Sequence, residues 1–180
     1  LRFADHIQKH FFNDGVMIPE NASATYQVRM AEIDRAIVGE SARWGDNRES
    51  SPYTKADWDA VQQDLIDNYF PQRTAIVFDQ LFDNGLYPSL DAPVFNQFGG
   101  TVSSGFELSI QNPDSTGDVY YTTDGSDPRD GSGSISASGI QYPGSPLVLT
   151  EHTQIRSRVL DGSTWSAITE AGFEIKPALI

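Results

Sequence analysis

The chain has 180 residues, of which 38% are hydrophobic and 11% aromatic, enough for a buried core in two units of about 90 residues each. Its formal net charge is −13, spread as −6 over residues 1–90 and −7 over residues 91–180. Even acidity of this kind excludes nucleic acid as a partner, because binding a phosphate backbone requires cationic side chains that displace counterions. There is no cysteine, hence no disulfide framework and no thiolate metal site. No apolar run reaches the length that crosses a bilayer, so membrane insertion by this stretch is not expected.

The first half reads as helical. Phe3, Ile7 and Phe11 fall on one helical face, and Asn13-Asp14-Gly15 is a stop, with Gly15 suited to a left-handed cap. A second helix is predicted from about Ser23 into the low forties, with Tyr26, Met30, Ile33 and Ile37 as its apolar stripe. Gly45 is expected to close its last turn. Trp44 should fold back, and Trp44 and Trp58 are assigned to the helical core. A polar loop follows over residues 47–53. Thr54 and Asp57 form a capping box for a third helix carrying Trp58, Val61, Leu65 and Tyr69 on one face. Pro71 should stop it near Phe70 and open a fourth helix. That helix should bury Ile76, Val77 and Leu81 and end at Asn84-Gly85.

From Leu86 the texture changes, and eleven of the fifteen glycines lie beyond residue 90. Ala92-Pro93-Val94-Phe95 reads as an edge strand and Gly99-Gly100 as a turn. Phe106, Leu108 and Ile110 alternate with polar residues, as in a half-buried strand. Residues 119–123 (V-Y-Y-T-T) are β-branched and aromatic, and Asp124-Gly125-Ser126-Asp127-Pro128 then halts the strand in a tight polar turn. Residues 129–139 are rich in Gly and Ser and are expected to be mobile. Short strands are predicted at 140–142 and 147–149, split by Pro143-Gly144. Ile155, Ser157 and Val159 alternate with Arg156 and Arg158. Asp161-Gly162 signals a hairpin, its return strand carries Trp165, and residues 173–175 close the unit. Six or seven strands at this spacing imply an antiparallel sandwich of immunoglobulin type. The predicted fold class is thus α+β by segregated domains: a helical segment over 1–90 and an antiparallel immunoglobulin-like β-sandwich over 91–180.

Y-Y-T-T-D-G-S-D-P-R at residues 120–129, followed by I-R-S-R-V-L-D-G-S-T-W-S at 155–166, resembles the chitobiase/β-hexosaminidase C-terminal domain, a small immunoglobulin-like module grouped with fibronectin-III-associated domains. The likeness covers roughly residues 93–175. The helical half is similar to the C-terminal helical end of CotH-like proteins, the spore-coat-type atypical kinases. It carries F-F-N-D-G at 11–15, E-S-A-R-W-G-D at 40–46 and G-L-Y-P at 85–88. Together the resemblances imply an extracellular or cell-surface bacterial multidomain protein, a setting that suits a cysteine-free chain. Leu1 opens within a helical pattern, so the chain is expected to be a piece of something longer, with any targeting segment upstream.

A kinase-like reaction needs a lysine on phosphate, carboxylates on Mg²⁺ and a nucleotide cleft. The lysines are Lys9, Lys55 and Lys176, without a glycine-rich phosphate loop, so the resemblance places the catalytic elements upstream. No catalytic residue and no cofactor is expected in this piece. His6 and His10 have a zinc-compatible spacing, but Ile7 stands where a metalloprotease motif has Glu. Asp124, Asp127 and Asp130 crowd one loop and could bind Ca²⁺, although the EF-hand pattern fails. The simpler reading has Asp124 to Pro128 as a structural turn whose side chains bond its own amides. Tyr120, Tyr121, Tyr142 and Trp165 could stack on sugars. Tyr120 and Tyr121 must face opposite ways, so at most one joins a platform; Tyr121 and Trp165 are the candidates. The expected partners are upstream domains of the same chain and, in the glycan reading, a surface polysaccharide. The expected role is that of a non-catalytic accessory module, with a carbohydrate-binding sandwich as the alternative.

Overall fold

The computed structural model describes residues 1–47 and 50–176. Part of the polar loop expected at 47–53 and the last four residues of the expected β domain lie outside the described residues. The fold is α+β: helices fill the first half and an immunoglobulin-like β-sandwich the second. The chain divides into two compact units, residues 14–79 and residues 1–13 with 80–180. The first helix falls in the same unit as the strands.

In the helical unit, α2 (Pro19–Trp44) starts four residues earlier than its apolar stripe indicates, with Pro19 in the first turn, where a missing N–H costs nothing. Asn21 steadies that start by donating from Nδ2 to the carbonyls of Asp14 and Gly15, both at 3.0 Å. The left-handed residue before it is Asn13, φ 59°, and not Gly15; Asn tolerates that region through local side-chain bonding. α3 (Lys55–Asp64) opens on the expected capping box, with the Thr54 N–H and hydroxyl both donating to Asp57 Oδ2 at 2.7 Å.

The expected stop at Pro71 does not occur. α3 runs through a π-helical turn (Leu65–Tyr69) directly into α4 (Phe70–Asp83). Proline has no N–H and crowds the carbonyl four residues back. The wider turn, in which the Phe70 N–H bonds Leu65 O, carries the helix past that obstacle without a break. α4 ends in a Schellman motif: Gly85 (φ 68°) donates to Phe82 O at 2.8 Å and Leu86 to Leu81 O at 3.0 Å.

This unit has little interior. Among its described residues only Gly15 and Gln62 are buried, Gln62 accepting from the Tyr26 hydroxyl. Ile33 and Ile76, expected inside, are 48% and 43% exposed. Trp44 is 54% exposed and Trp58 half-buried, so neither forms a closed helical core.

Among the described residues the other unit holds ten strands. β2 (Gly100–Ser103), β10 (Thr169–Lys176), β8 (Thr153–Asp161), β5 (Asp118–Thr122) and β6 (Ile140–Gln141) lie side by side, with β9 (Thr164–Trp165) on β8. The facing layer is two short ladders, β1 (Val94–Phe95) on β4 (Ile110–Gln111) and β3 (Phe106–Leu108) on β7 (Leu147–Leu149). Pairing is antiparallel except for β2 on β10. β2 begins where sequence indicated only a turn. Gly99 takes φ 94°, and a Cβ there would sit 2.7 Å from the Gly172 carbonyl, so glycine is what lets β2 lie against β10.

The run at 106–111 is two strands. Asn96 interrupts the ladder by accepting the Ser109 N–H at 2.9 Å and donating to Glu107 O at 3.0 Å, and the chain changes partner there. Leu108, Ile110, Phe95 and Leu149 from one layer meet Val102, Val119, Tyr121, Ile155, Val159 and Phe173 from the other in one core. Each such burial is worth about 1.5–3 kcal/mol.

α1 (Arg2–Phe11) belongs to this unit. It buries Ala4, Ile7 and Gln8, while Phe3 is 54% exposed, so the seated face is rotated from the one expected. Gln8 accepts a hydrogen bond from the Tyr87 hydroxyl. Among the described residues no helix is long and apolar enough to cross a membrane.

Candidate functional site

The turn after β5 is built as its sequence implies. Asp124 Oδ1 accepts the Ser126 N–H at 2.8 Å and its hydroxyl at 2.6 Å. These bonds, against a smaller opposing effect of burial, hold the Asp124 carboxyl below the usual carboxylate range. Gly125 sits at φ 75°, a conformation open to glycine, and donates to Gln154 O at 3.0 Å. The Thr122 hydroxyl, fully buried, donates to Ser126 O at 2.6 Å. Pro128 is buried.

Asp127 does more than bond its own turn. Its Oδ1 accepts the Arg129 N–H at 2.9 Å, but its main partner is Arg158 in the middle of β8. Strand alternation sends Ile155, Ser157 and Val159 into the core and Arg158 to the opposite face, where it is only 2% exposed. Arg158 Nε and Nη2 donate to Asp127 Oδ1 and Oδ2 at 2.8 and 2.7 Å. Nη1 and Nη2 donate to Asp5 Oδ1 and Oδ2 of α1 at 2.7 and 2.9 Å. Nη1 also donates to Ser166 O at 2.8 Å. All five guanidinium N–H groups are thereby used. Asp5 Oδ1 additionally accepts the Ile168 N–H at 2.9 Å.

The electrostatics follow from this geometry. Burial pushes the Asp127 carboxyl up; the Arg158 and Arg129 contacts outweigh it and leave the group below its usual range. Burial disfavours the Arg158 charge, and the two carboxylates more than compensate, so its affinity for the proton rises. A second ion pair binds the same helix: Lys9 Nζ reaches Glu170 Oε1 at 2.7 Å, and Arg156 reaches Glu170 Oε2 at 3.0 Å. The Lys9 hydrogen bond is the largest cause of a lowered Glu170 carboxyl.

The two glycan candidates are not brought together. Tyr121 lies in the core, 8% exposed, with its ring edge-on to Tyr142 at 6.2 Å. Trp165 lies on the other face of the sheet, 4% exposed, against Tyr120 at 5.9 Å. Its indole N–H donates to Gly133 O at 2.8 Å. Trp165 is therefore a packing residue that pins the 129–139 segment and is not part of an open platform. That segment, expected to be mobile, is closely hydrogen-bonded. Asp130 Oδ1 accepts the N–H groups of Ser132 and Ser134 at 2.8 and 2.9 Å, and Ser136 N–H donates to Pro128 O at 2.7 Å.

Tyr121 also borders a polar cleft of about 290 Å³ with Thr123, Thr150, Glu151, His152 and Thr153. His6 and His10 stack with ring centroids 6.1 Å apart. Among the described residues no three His, Asp or Glu side chains are gathered to hold a metal ion; Asp124 and Asp130 each turn Oδ1 toward amides of their own turns. Arg158 and Asp5 escaped the sequence reading. Alternation gave Arg158 a side of the sheet, but nothing local shows which carboxylates cover it.

A family model described as Fn3 associated matches residues 107–173. No curated protein and no solved structure matches the chain. The matched stretch runs from β3 to β10 and takes in the 124–128 turn, Arg158 and Trp165. The β-sandwich of this chain is thus similar to the Fn3-associated family, an accessory β-sandwich module.

Proposed function

We propose that the chain is a non-catalytic structural module of a secreted or cell-surface bacterial multidomain protein. In this reading an accessory immunoglobulin-like sandwich carries the C-terminal helical end of a CotH-like domain, and its partners are upstream domains of the same chain. One observation carries it: α1 covers the outer sheet face through Asp5 on Arg158 and Lys9 on Glu170. That face serves a helix of the chain itself and not a soluble substrate. The Fn3-associated match supports the accessory role. The motifs at 11–15, 40–46 and 85–88 support the CotH-like origin of the helices, whose phosphotransfer chemistry then belongs upstream.

The test is a titration of the full chain with Mg²⁺-ATP, run beside thermal unfolding of a chain lacking residues 1–13. The expected results are no saturable nucleotide binding and a lowered midpoint without α1. Saturable nucleotide binding would overturn the non-catalytic assignment, and an unchanged midpoint would overturn the anchoring role.

A second reading, a carbohydrate-binding sandwich, has the cleft beside Tyr121 in its favour. Its hydroxyls and single carboxylate suit sugar hydroxyl groups. Retention of the chain on an immobilised polysaccharide, lost on Tyr121→Ala and kept on Trp165→Phe, would favour it over the first.

A further inference from the structure

In the helical unit, the C-terminal end of α2 and the start of α3 enclose a cleft of about 390 Å³. Its construction is fixed by a backbone contact. The Tyr53 N–H donates to Gly45 O at 2.9 Å, and a Cβ on Gly45 would collide with the Tyr53 and Ser41 carbonyls. Tyr53 is thereby seated on the helix end. The walls are aromatic and aliphatic: Trp44, Tyr53, Trp58 and Val61. Three of these are more than half exposed, Trp44 at 54%, Tyr53 at 61% and Val61 at 58%. Large apolar side chains left open around a concavity mark a binding surface more often than a packing fault.

The charge around the cleft selects the ligand. Glu40 and Asp57 line it. Asp57 is held below the ordinary carboxylate range by its Thr54 hydrogen bonds, and Glu40 has no ion-pair partner among the described residues. Two cations stand nearby. Lys55 is engaged by both Asp34 and Asp59 at 2.8 Å. Arg43 lies 4.9 Å over the Trp44 ring, and Lys55 lies 5.7 Å over Trp58. Among the described residues the cleft is thus lined by two carboxylates and by no cationic side chain, and both indoles already show their affinity for cationic groups. Electron-rich ring faces with a carboxylate rim attract a cation whose charge is dispersed over alkyl groups.

We propose that this cleft binds a small organic cation of the alkylammonium class, with Trp44, Tyr53 and Trp58 enclosing its alkyl groups and Glu40 and Asp57 supplying the counter-charge. The proposal concerns residues 37–62 and stands independently of the function proposed above.

The test uses the full chain and two probes of nearly equal shape: choline and its neutral carbon analogue 3,3-dimethylbutan-1-ol. Binding is read by tryptophan fluorescence and by calorimetry. The expected result is saturable choline binding, with the neutral analogue weaker by about tenfold. Trp44→Ala and Trp58→Ala should each weaken choline by about tenfold, and Glu40→Gln should narrow the gap between the probes. Trp165→Phe, far from the cleft in sequence and in the other compact unit, should leave choline binding unchanged. Equal affinity for the two probes would show an apolar cleft without charge selection and overturn the proposal. So would an absence of choline binding, or binding that survives both Trp44→Ala and Trp58→Ala. The comparison of the two probes on the unaltered chain needs no variant and decides the matter even where a variant fails to fold.

Discussion

Asp5 and Arg158 are 153 residues apart in sequence and meet in a two-point carboxylate–guanidinium contact at 2.7 and 2.9 Å. Asp127 grips the same guanidinium from the other side. One strand residue therefore fastens both the first helix and the turn after β5. A buried pair of this kind adds little over apolar packing, but breaking it by removing one member leaves a buried charge uncompensated and costs about 3–5 kcal/mol. Arg158 is therefore best understood as a device that fixes which surfaces meet.

Asp127→Ala should destabilise the chain by about 3 kcal/mol, more than loss of a helix cap, because Arg158 loses half its carboxylate contacts as well as the turn losing an amide acceptor. Urea unfolding measures it. The loss should be the same with Ca²⁺ present or chelated. A calcium-dependent midpoint in the unaltered chain that vanishes in the variant would show a metal site at Asp124, Asp127 and Asp130.

Acid should weaken the sandwich in a defined window. Asp127 and Glu170 titrate below their ordinary values of 3.8 and 4.5 in the folded chain. Stability from a depressed carboxylate is complete above the unfolded value and is lost as pH falls through the folded one. From neutral pH down to about pH 5 these two groups should contribute no change; the decline should begin below about pH 5, as the ordinary carboxylate values are reached, and continue as pH falls through the folded ones. Unfolding free energy followed against pH checks this, and Glu170→Gln should remove part of the slope.

The 129–139 segment should resist proteolysis despite its composition. Asp130 organises it by holding the Ser132 and Ser134 amides, and Gly133 O holds the Trp165 indole. Asp130→Ala should expose it to a protease tolerant of Gly and Ser. First cleavage there in the unaltered chain would mean that these hydrogen bonds do not hold the segment in solution.

The helical unit alone should not fold cooperatively. Among the described residues of 14–79 only Gly15 and Gln62 are buried, and apolar burial must offset chain entropy of about 1–2 kcal/mol per residue. A sharp thermal transition from a monomeric 14–79 fragment would contradict this.

Local chemistry made much of the fold legible. Alternation at Ile155, Ser157 and Val159 gave the core face of β8, the Thr54–Asp57 box gave the start of α3, and the Asp-Gly pair at 161–162 gave the β8–β9 hairpin. What failed depended on contacts distant in sequence or on a compensating irregularity. Pro71 carries a rule against helix, and the π-helical turn before it sidesteps the rule. Gly99-Gly100 reads as a turn until Gly172 is placed beside it. Trp165 has the composition of a sugar platform, and only the position of Gly133 shows that its indole is spent on packing. The Gly/Ser run at 129–139 has the composition of a mobile loop, and one aspartate holds it.

The central claim, that α1 and the sandwich are one structure joined at Arg158, is tested most directly by a double-mutant cycle of Asp5→Ala and Arg158→Ala measured by urea unfolding. A coupling of about 2 kcal/mol is expected, because each single change should remove most of what the other would. Additive losses, equal to the sum of the single changes within about 0.5 kcal/mol, would contradict it.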